Sequence, residues 1–414
     1  MDIKSMNIKQ KYEKKAIYMN TEKSNQWEAE RMQCLPFSGI RKVFEAANKL
    51  RAQGIDVVDL TMGRPDFDTP AHIKKAAVKA LDEGRVHYTS NYGIPELTKA
   101  IAKKMKANNN LDYDPTGEIL VTVGASEAIF GAMVSFLNPG DEVILPAPAW
   151  VNYVVIPGML GAKTVTVTLK EENGFALSAE DITAKITPKT KMLILINPNN
   201  PTGGVVLEED LREIAEMAVK HNFIVLSDEI YDHLIYDGNK HISIGTYPGM
   251  KERTITVNGV SKTYSMTGWR IGWAAADKNL IKSMVRCHQY MVACPTSFSQ
   301  YGAVEALEGP QDCIGEMVAE FKRRRDLIVK SIKAMPKISC VNPSGAFYIF
   351  ANIKGMNMTS VEASNFFLEK AAVAAVPGTA FGEEGEGYLR IAYSNSYENI
   401  QRAMVNMEEA LKKL

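Results

Sequence analysis

The stretch 191-KMLILINPNNPTGGVVLEEDLREIAEMAVKHNFIVLSDEIY-231 decides the fold. It opens with a short apolar run that stops at Asn197-Pro198, a turn pair. Residues 207–222 then place apolar side chains at helical spacing, with acids early in the segment. A second short apolar run, 223–228, ends at Ser227-Asp228. Strand, helix and strand in this order are the pattern of a crossover between parallel strands.

The alternation continues outward. On the N-terminal side lie helix patterns at 71–84 and 94–107 and strand-length runs at 119–124, 142–147 and 164–169. On the C-terminal side lies 254-TITVNG-259. The pattern predicts an α/β protein whose large domain has a mostly parallel sheet flanked by helices. In such sheets the ligand sits beyond the carboxyl ends of the strands. After about residue 300 the texture changes to a long helical stretch at 311–334, then short strand runs and two more helices. We expect a smaller α+β domain from 34–68 and 305–414, a large domain over 69–304, and a loosely ordered extension over 1–33.

Composition narrows the function classes. Forty-eight basic residues balance forty-eight acidic ones, which points away from nucleic acid or an anionic membrane as partner. No run of apolar residues is long enough to span a bilayer. The N-terminal residues lack the apolar core of a secretory signal. The five cysteines are scattered, without paired spacing, so reduced thiols, a cytoplasmic location and no metal are expected.

Four segments fall at the carboxyl edge of the expected sheet: 122-TVGASEA-128, 197-NPNNPTGG-204, 228-DEIY-231 and 259-GVSKTYSMTGWRIG-272. Each alone has a bland reading. Asn-Pro and Pro-Thr-Gly are ordinary turn chemistry, an acid after a strand caps a helix, and most lysines are solvated. Phe-Tyr pairs read as core.

Taken together, Asn-Pro-Thr-Gly (200–203), Asp-x-x-Tyr (228–231), Ser-Lys with Gly-Trp-Arg-x-Gly (261–272) and Leu-Arg-Ile-Ala (389–392) resemble the class I/II aminotransferases of the aspartate-aminotransferase fold, which use pyridoxal 5'-phosphate. The resemblance runs from about Pro36 to the C-terminus. It implies that Lys262 joins the cofactor aldehyde as an imine and later shuttles the substrate proton. It implies Asp228 under the pyridine nitrogen, and Tyr231 and Asn200 on the phenolic oxygen. Trp150, in 146-PAPAWVNY-153, would stack on the ring. Arg270, with Gly124, Ala125 and Ser126 at a helix start, would hold the phosphate. Tyr88 would reach the phosphate of a neighbouring subunit, so a homodimer with shared sites is implied. Arg390 would clamp the substrate carboxylate, with Gly63 lining the substrate side. The substrates implied are an L-amino acid (aspartate, aromatic or similar) and a 2-oxo acid, most naturally 2-oxoglutarate, in a ping-pong reaction.

Two departures stand out. Many relatives carry a phosphate-binding Ser where this chain has Gly259, and the role of the neighbouring Ser261 stays open. One group of aspartate aminotransferases has a lysine where this chain has Ser126, so strict aspartate specificity is not implied. The segment 36-PFSGIRKVFEAA-47 looks like the first helix of aromatic and broad-specificity members, with Ile40 or Arg41 edging the pocket. Two other functions fit parts of the pattern. A cysteine-S-conjugate β-lyase would use the same residues on the same fold. A regulator carrying this domain beside a DNA-binding module would need more than the 33 residues that precede it.

Overall fold

The computed structural model describes residues 27–35, 37 and 39–414. The expected N-terminal extension lies outside the described residues as far as Gln26, as do Pro36 and Ser38. In chain order the strands are β1 (Val58–Asp59), β2 (Ile119–Val123), β3 (Glu142–Ala147), β4 (Lys163–Thr168), β5 (Thr190–Ile196), β6 (Ile224–Asp228), β7 (Thr254–Gly259), β8 (Ile271–Ala275), β9 (Tyr348–Asn352), β10 (Val373–Ala374), β11 (Val376–Pro377) and β12 (Tyr388–Ala392).

Seven of them form the central sheet in the order β2-β8-β7-β6-β5-β3-β4. All neighbours are parallel except β8, which runs antiparallel to both β2 and β7. The carboxyl ends of β2, β5, β6 and β7 therefore lie along one edge, and β8 begins there. Ile196 pairs with Asp228, and Gly259 with Gly272, so the four motif segments leave the sheet side by side. Strands β3, β6, β7 and β8 are buried along nearly their whole length, which explains their continuous rather than alternating apolar sequence. The sequence reading places no strand at 271–275. Gly272, Ala274 and Ala275 leave β8 without a run of alternating or β-branched residues, and its strand state is imposed by the two neighbours it fills.

The helices needed below are α1 (Gly39–Ala52), α2 (Pro95–Asn109), α3 (Ala125–Phe136), α4 (Val151–Met159), α5 (Glu208–His221) and α6 (Asp312–Ala334). α5 shows why its sequence folds locally. Three acids occupy its first turn, Lys220 and His221 its last, and Asn222 ends it in the left-handed conformation. Its apolar face, Leu211, Ile214, Ala215 and Ala218, lies in the core on one side of the sheet.

A second core gathers Val58 and Leu60 with residues from α6 to the C-terminus, among them Phe321, Phe347, Phe367, Leu389 and Met404. It covers the antiparallel sheet β11-β12-β9 and the small β1-β10 pair. Ile230, Tyr231, Leu234 and Tyr236, from the turn after β6, also belong to it. That turn thus leaves one core and enters the other. Among the described residues no helix is long and apolar enough to cross a membrane.

One close approach seats α3 on the sheet. A Cβ at Gly272 would collide with the backbone nitrogen of Ala125 and lie 2.6 Å from the carbonyl carbon of Gly124. Gly272→Ala should lose about 2–3 kcal/mol of stability, because backbone on both sides has no room to yield. Gly315→Ala, in α6 with open space around it, should gain roughly 0.5–1 kcal/mol by its better helix propensity. Urea denaturation of the two variants checks the contrast, and equal effects would contradict it.

Candidate active site

Asp228 is the last residue of β6 and is only 7% exposed. Tyr153 donates its hydroxyl to Oδ2 at 2.7 Å, and the Ile230 amide donates to Oδ1 at 3.1 Å. No Lys, Arg or His forms an ion pair with it among the described residues. Burial pushes its pKa up to about 6, against the two hydrogen bonds and the more distant Lys262, which pull it down.

The turn that carries Asp228 is fixed from behind. Glu229, fully buried, accepts hydrogen bonds from Ser243 Oγ at 2.6 Å, Asn109 Nδ2 at 3.0 Å and Ser227 Oγ at 3.0 Å, and contacts His241 Nε2 at 2.8 Å. Asp232 pairs with Lys104 and accepts from Asn258 Nδ2 at 2.9 Å. Asp228 and Tyr231 thus face the cleft, while Glu229 and Asp232 anchor the same turn to α2 and β7.

Lys262 follows β7. Its amine donates to the Gly63 carbonyl at 2.5 Å and lies 5.9 Å from the Tyr231 ring centre and 5.8 Å from that of Phe347. Burial first, then the positive charges of Arg390 and Arg270, lower its pKa to about 8. An amine with that value supplies a neutral nitrogen near physiological pH.

Arg390 is 1% exposed, in the middle of β12. The sequence reading sets it on the face opposite Leu389 and Ile391, and both faces prove to be buried. Nη2 donates to the Thr61 carbonyl at 2.6 Å, and Nη1 to Asn200 Oδ1 at 3.2 Å. Its guanidinium carbon lies 4.6 Å from the Tyr348 ring centre and 4.7 Å from that of Phe381. Nε is buried without a partner. Three of its five N–H groups remain for an anion. With Oδ1 of Asn200 engaged, the amide nitrogen is that side chain's remaining donor.

The turn 197–204 is locked where Asn200 requires it. Asn199 Oδ1 accepts from the hydroxyl of Thr202 at 2.9 Å. Gly203 has φ +74°, and a Cβ there would meet Pro343 at 2.5 Å and the Gly345 carbonyl at 2.9 Å. No other residue type fits that contact.

Beside this group is a second one. α3 starts at Ala125, with Gly124 as N-cap and no side chain capping its free amides. The Arg270 guanidinium lies against Gly124, where a Cβ would come within 2.7 Å of Cζ. Among the described residues its only hydrogen bonds are long ones, to the carbonyls of Thr267 at 3.2 Å and Val123 at 3.4 Å. The Ser126 side chain is exposed on the same helix turn. Uncapped amides, a hydroxyl and an unpaired guanidinium make an anion site.

Trp150 is the N-cap of α4, half-buried, one helical turn before Tyr153. Gly63 is brought into the group by its carbonyl. Tyr88 is not: it is 90% exposed. Ile40 packs beside the core that contains Phe381, whereas Arg41 turns outward to Glu45 at 2.8 Å. Gly259 faces the backbone of Gly272, with a Cβ only 3.0 Å from its Cα, so a serine in its place would crowd β8.

Sequence reasoning missed Thr61, Tyr153 and Tyr348. Tyr153 carried a usable signal, since it is three residues after Trp150 on one helix. Tyr348 was read as core from its Phe-Tyr pairing. Its ring is core, but its hydroxyl meets that of Tyr231 at 2.8 Å.

Residues 55–406 match the sequence model of the family described as Aminotransferase class I and II. The chain belongs to that family. The aspartate aminotransferase of Pyrococcus abyssi is 47% identical over 386 residues, covering 93% of this aminotransferase and 98% of the relative. The aromatic-amino-acid aminotransferase 2 of Thermococcus litoralis is 45% identical over 387 residues, covering 93% and 98%. The crystal structure of the aspartate aminotransferase from Rhizobium meliloti superposes with a TM-score of 0.90 at 39% identity, covering 94% of this chain and 100% of that one. The resemblance and the fold class read from the sequence are both borne out.

The Asp228 carboxyl sets a pH dependence in the ligand-free aminotransferase. Its folded pKa, about 6, lies above the ordinary 3.8, so its ionisation disfavours folding. The penalty is absent below about pH 4 and full above about pH 7, on the order of 3 kcal/mol. Asp228→Asn should therefore raise the urea midpoint at about pH 8 and change it little near pH 4. A lower midpoint at the higher pH would contradict this assignment.

Proposed function

We propose that this aminotransferase binds pyridoxal 5'-phosphate and moves the amino group of an L-amino acid to a 2-oxo acid in two half-reactions. The donor class is aspartate, aromatic or similar, and the acceptor is 2-oxoglutarate. The observation that carries the reading is Asp228, a buried carboxylate with both oxygens hydrogen-bonded and no cation paired with it. A protonated pyridine nitrogen is the cation such a group fits. The anion site at Gly124, Ala125, Ser126 and Arg270 fits the phosphate of the same molecule. The names of the relatives, aspartate and aromatic aminotransferases, support the donor class.

When bound, the cofactor supplies an aldehyde that condenses with amines and a ring that accepts the electron pair of a bond broken at the amino acid's α-carbon. The chain's own residues do the rest. Asp228, ionised, would keep the ring nitrogen protonated. Tyr231 and the free amide nitrogen of Asn200 would donate to the phenolic oxygen, and Trp150 would cover the ring. Arg390 takes the substrate carboxylate with its remaining donors, which fixes the α-carbon in front of the Lys262 amine. That amine, whose lowered pKa brings its neutral form within reach near physiological pH, would take the α-proton and return it one carbon away.

The same reading makes the working unit a homodimer, with exposed Tyr88 reaching the partner's phosphate site. It also places the enzyme in the cytoplasm. Cys287, Cys294, Cys313 and Cys340 are free thiols, which suits a reducing compartment.

The test follows the visible band of the loaded enzyme while single L-amino acids are added without any oxo acid. Loss of the band on amino-acid addition and its return with 2-oxoglutarate is the expected result. A band that persists while pyruvate and ammonia accumulate would replace transfer with β-elimination. Lys262→Ala should lower turnover at least ~10²–10⁴-fold, and activity within tenfold of wild type would overturn its role. Arg390→Ala should raise KM for every amino acid alike, because it removes a contact to a group they all share. A loss confined to acidic donors would assign Arg390 to the distal carboxylate instead.

A further inference from the structure

We propose that Tyr348 is a positioning residue for this reaction: its hydroxyl donates to Tyr231 and so turns the Tyr231 proton toward the bound cofactor, while its ring supports the Arg390 guanidinium. The proposal rests on the pyridoxal-phosphate reading above.

Tyr231 and Tyr348 are both buried, with hydroxyls 2.8 Å apart. Each phenol has one proton to give and lone pairs to accept with. One proton therefore lies between the two oxygens, and the other points elsewhere. Two arrangements are open, and the surroundings of Tyr348 separate them. Its hydroxyl lies over Gly63, where a Cβ would stand 2.9 Å from the oxygen. The carbonyl of Gly63 is engaged by Lys262. Another polar neighbour, the Arg390 guanidinium over the Tyr348 ring, has no lone pair to offer. Among the described residues the Tyr348 hydroxyl has no hydrogen-bond partner other than Tyr231. The favoured arrangement has Tyr348 donating to Tyr231, which leaves the Tyr231 proton for an acceptor in the cleft. A phenol that accepts a hydrogen bond is also a stronger donor, so the Tyr348 bond strengthens the one Tyr231 makes.

The ring has a separate duty. It forms one wall of the slot that holds Arg390, with Phe381 as the other. Tyr348→Phe removes the hydroxyl and keeps the wall, so it separates the two roles.

The experiment titrates the visible band of the loaded enzyme with pH, in wild type, Tyr348→Phe, Tyr231→Phe and the double variant. Tyr348→Phe should raise the pH of the transition by about half a unit, the effect of weakening one hydrogen bond to the phenolic oxygen. In the Tyr231→Phe background the same change should shift nothing further, because Tyr348 acts through Tyr231. KM for the amino donor should stay within about twofold while kcat falls roughly three- to tenfold. A fluorinated tyrosine at position 348, a stronger donor of unchanged shape, should lower the transition pH, and this holds even if the phenylalanine variant folds poorly. An unchanged transition in both variants, or equal shifts in the presence and absence of the Tyr231 hydroxyl, would overturn the proposal. A wild-type protein that takes up pyridoxal 5'-phosphate with no visible band would instead remove the cofactor reading itself.

Discussion

A buried carboxylate without a cation beside it is the constraint around which this molecule is arranged. Lys262 could have neutralised Asp228 directly, and a close ion pair would have eased the burial of both. The amine is held on the Gly63 carbonyl instead. Asp228 is kept in place by Tyr153 and the Ile230 amide, two donors that stabilise its charge without cancelling it. The turn is anchored at its back. Glu229 and Asp232 there have the partners that Asp228 lacks, among them Lys104, Asn109 and His241.

Two of the cations at the site, Arg390 and Lys262, depend on a single short segment. Thr61 and Gly63, just beyond β1, give their carbonyls to Arg390 and Lys262. The segment is itself held by the second core: Leu60 donates its amide to the Ala374 carbonyl and accepts from the amide of Ala392. On the other side, Gly203 presses on Pro343 and Gly345 and thereby delivers Asn200 to Arg390. Both contacts join residues far apart in sequence. The distance between the proton-transfer amine and the carboxylate clamp is therefore set by packing between the two cores and not by either alone.

The parallel sheet was legible because strand, turn and helix each carried their own local signal between 119 and 259. Lys262, Asp228, Asn200, Tyr231 and Arg270 could be singled out because each sits in a short motif beside a strand end, and Arg390 because apolar residues flank it within β12. β8 was not, since alanine and glycine say nothing about pairing until Gly259 and Gly272 are seen back to back. Tyr153 and Tyr348 were illegible for a different reason. A tyrosine in an apolar segment reads as core, and only the partner of its hydroxyl tells otherwise. The Thr61 carbonyl has no side-chain signature at all. Tyr88 lies at the surface, 90% exposed and away from the cleft residues.

Tyr231 is three residues from Asp228, yet its ring is packed into the second core, against Phe347 and Tyr348. This has a consequence for how such an enzyme can drift. A substitution at Phe321 or Phe347 touches no substrate and would pass as neutral on a map of the cleft. Yet it shifts the ring that touches Tyr231, and chemistry changes with it. Mutational tolerance in the second core is thus narrower than its distance from the reacting atoms suggests. Selection for a new amino donor has to search among variants that leave that aromatic cluster intact, or that change several of its members together.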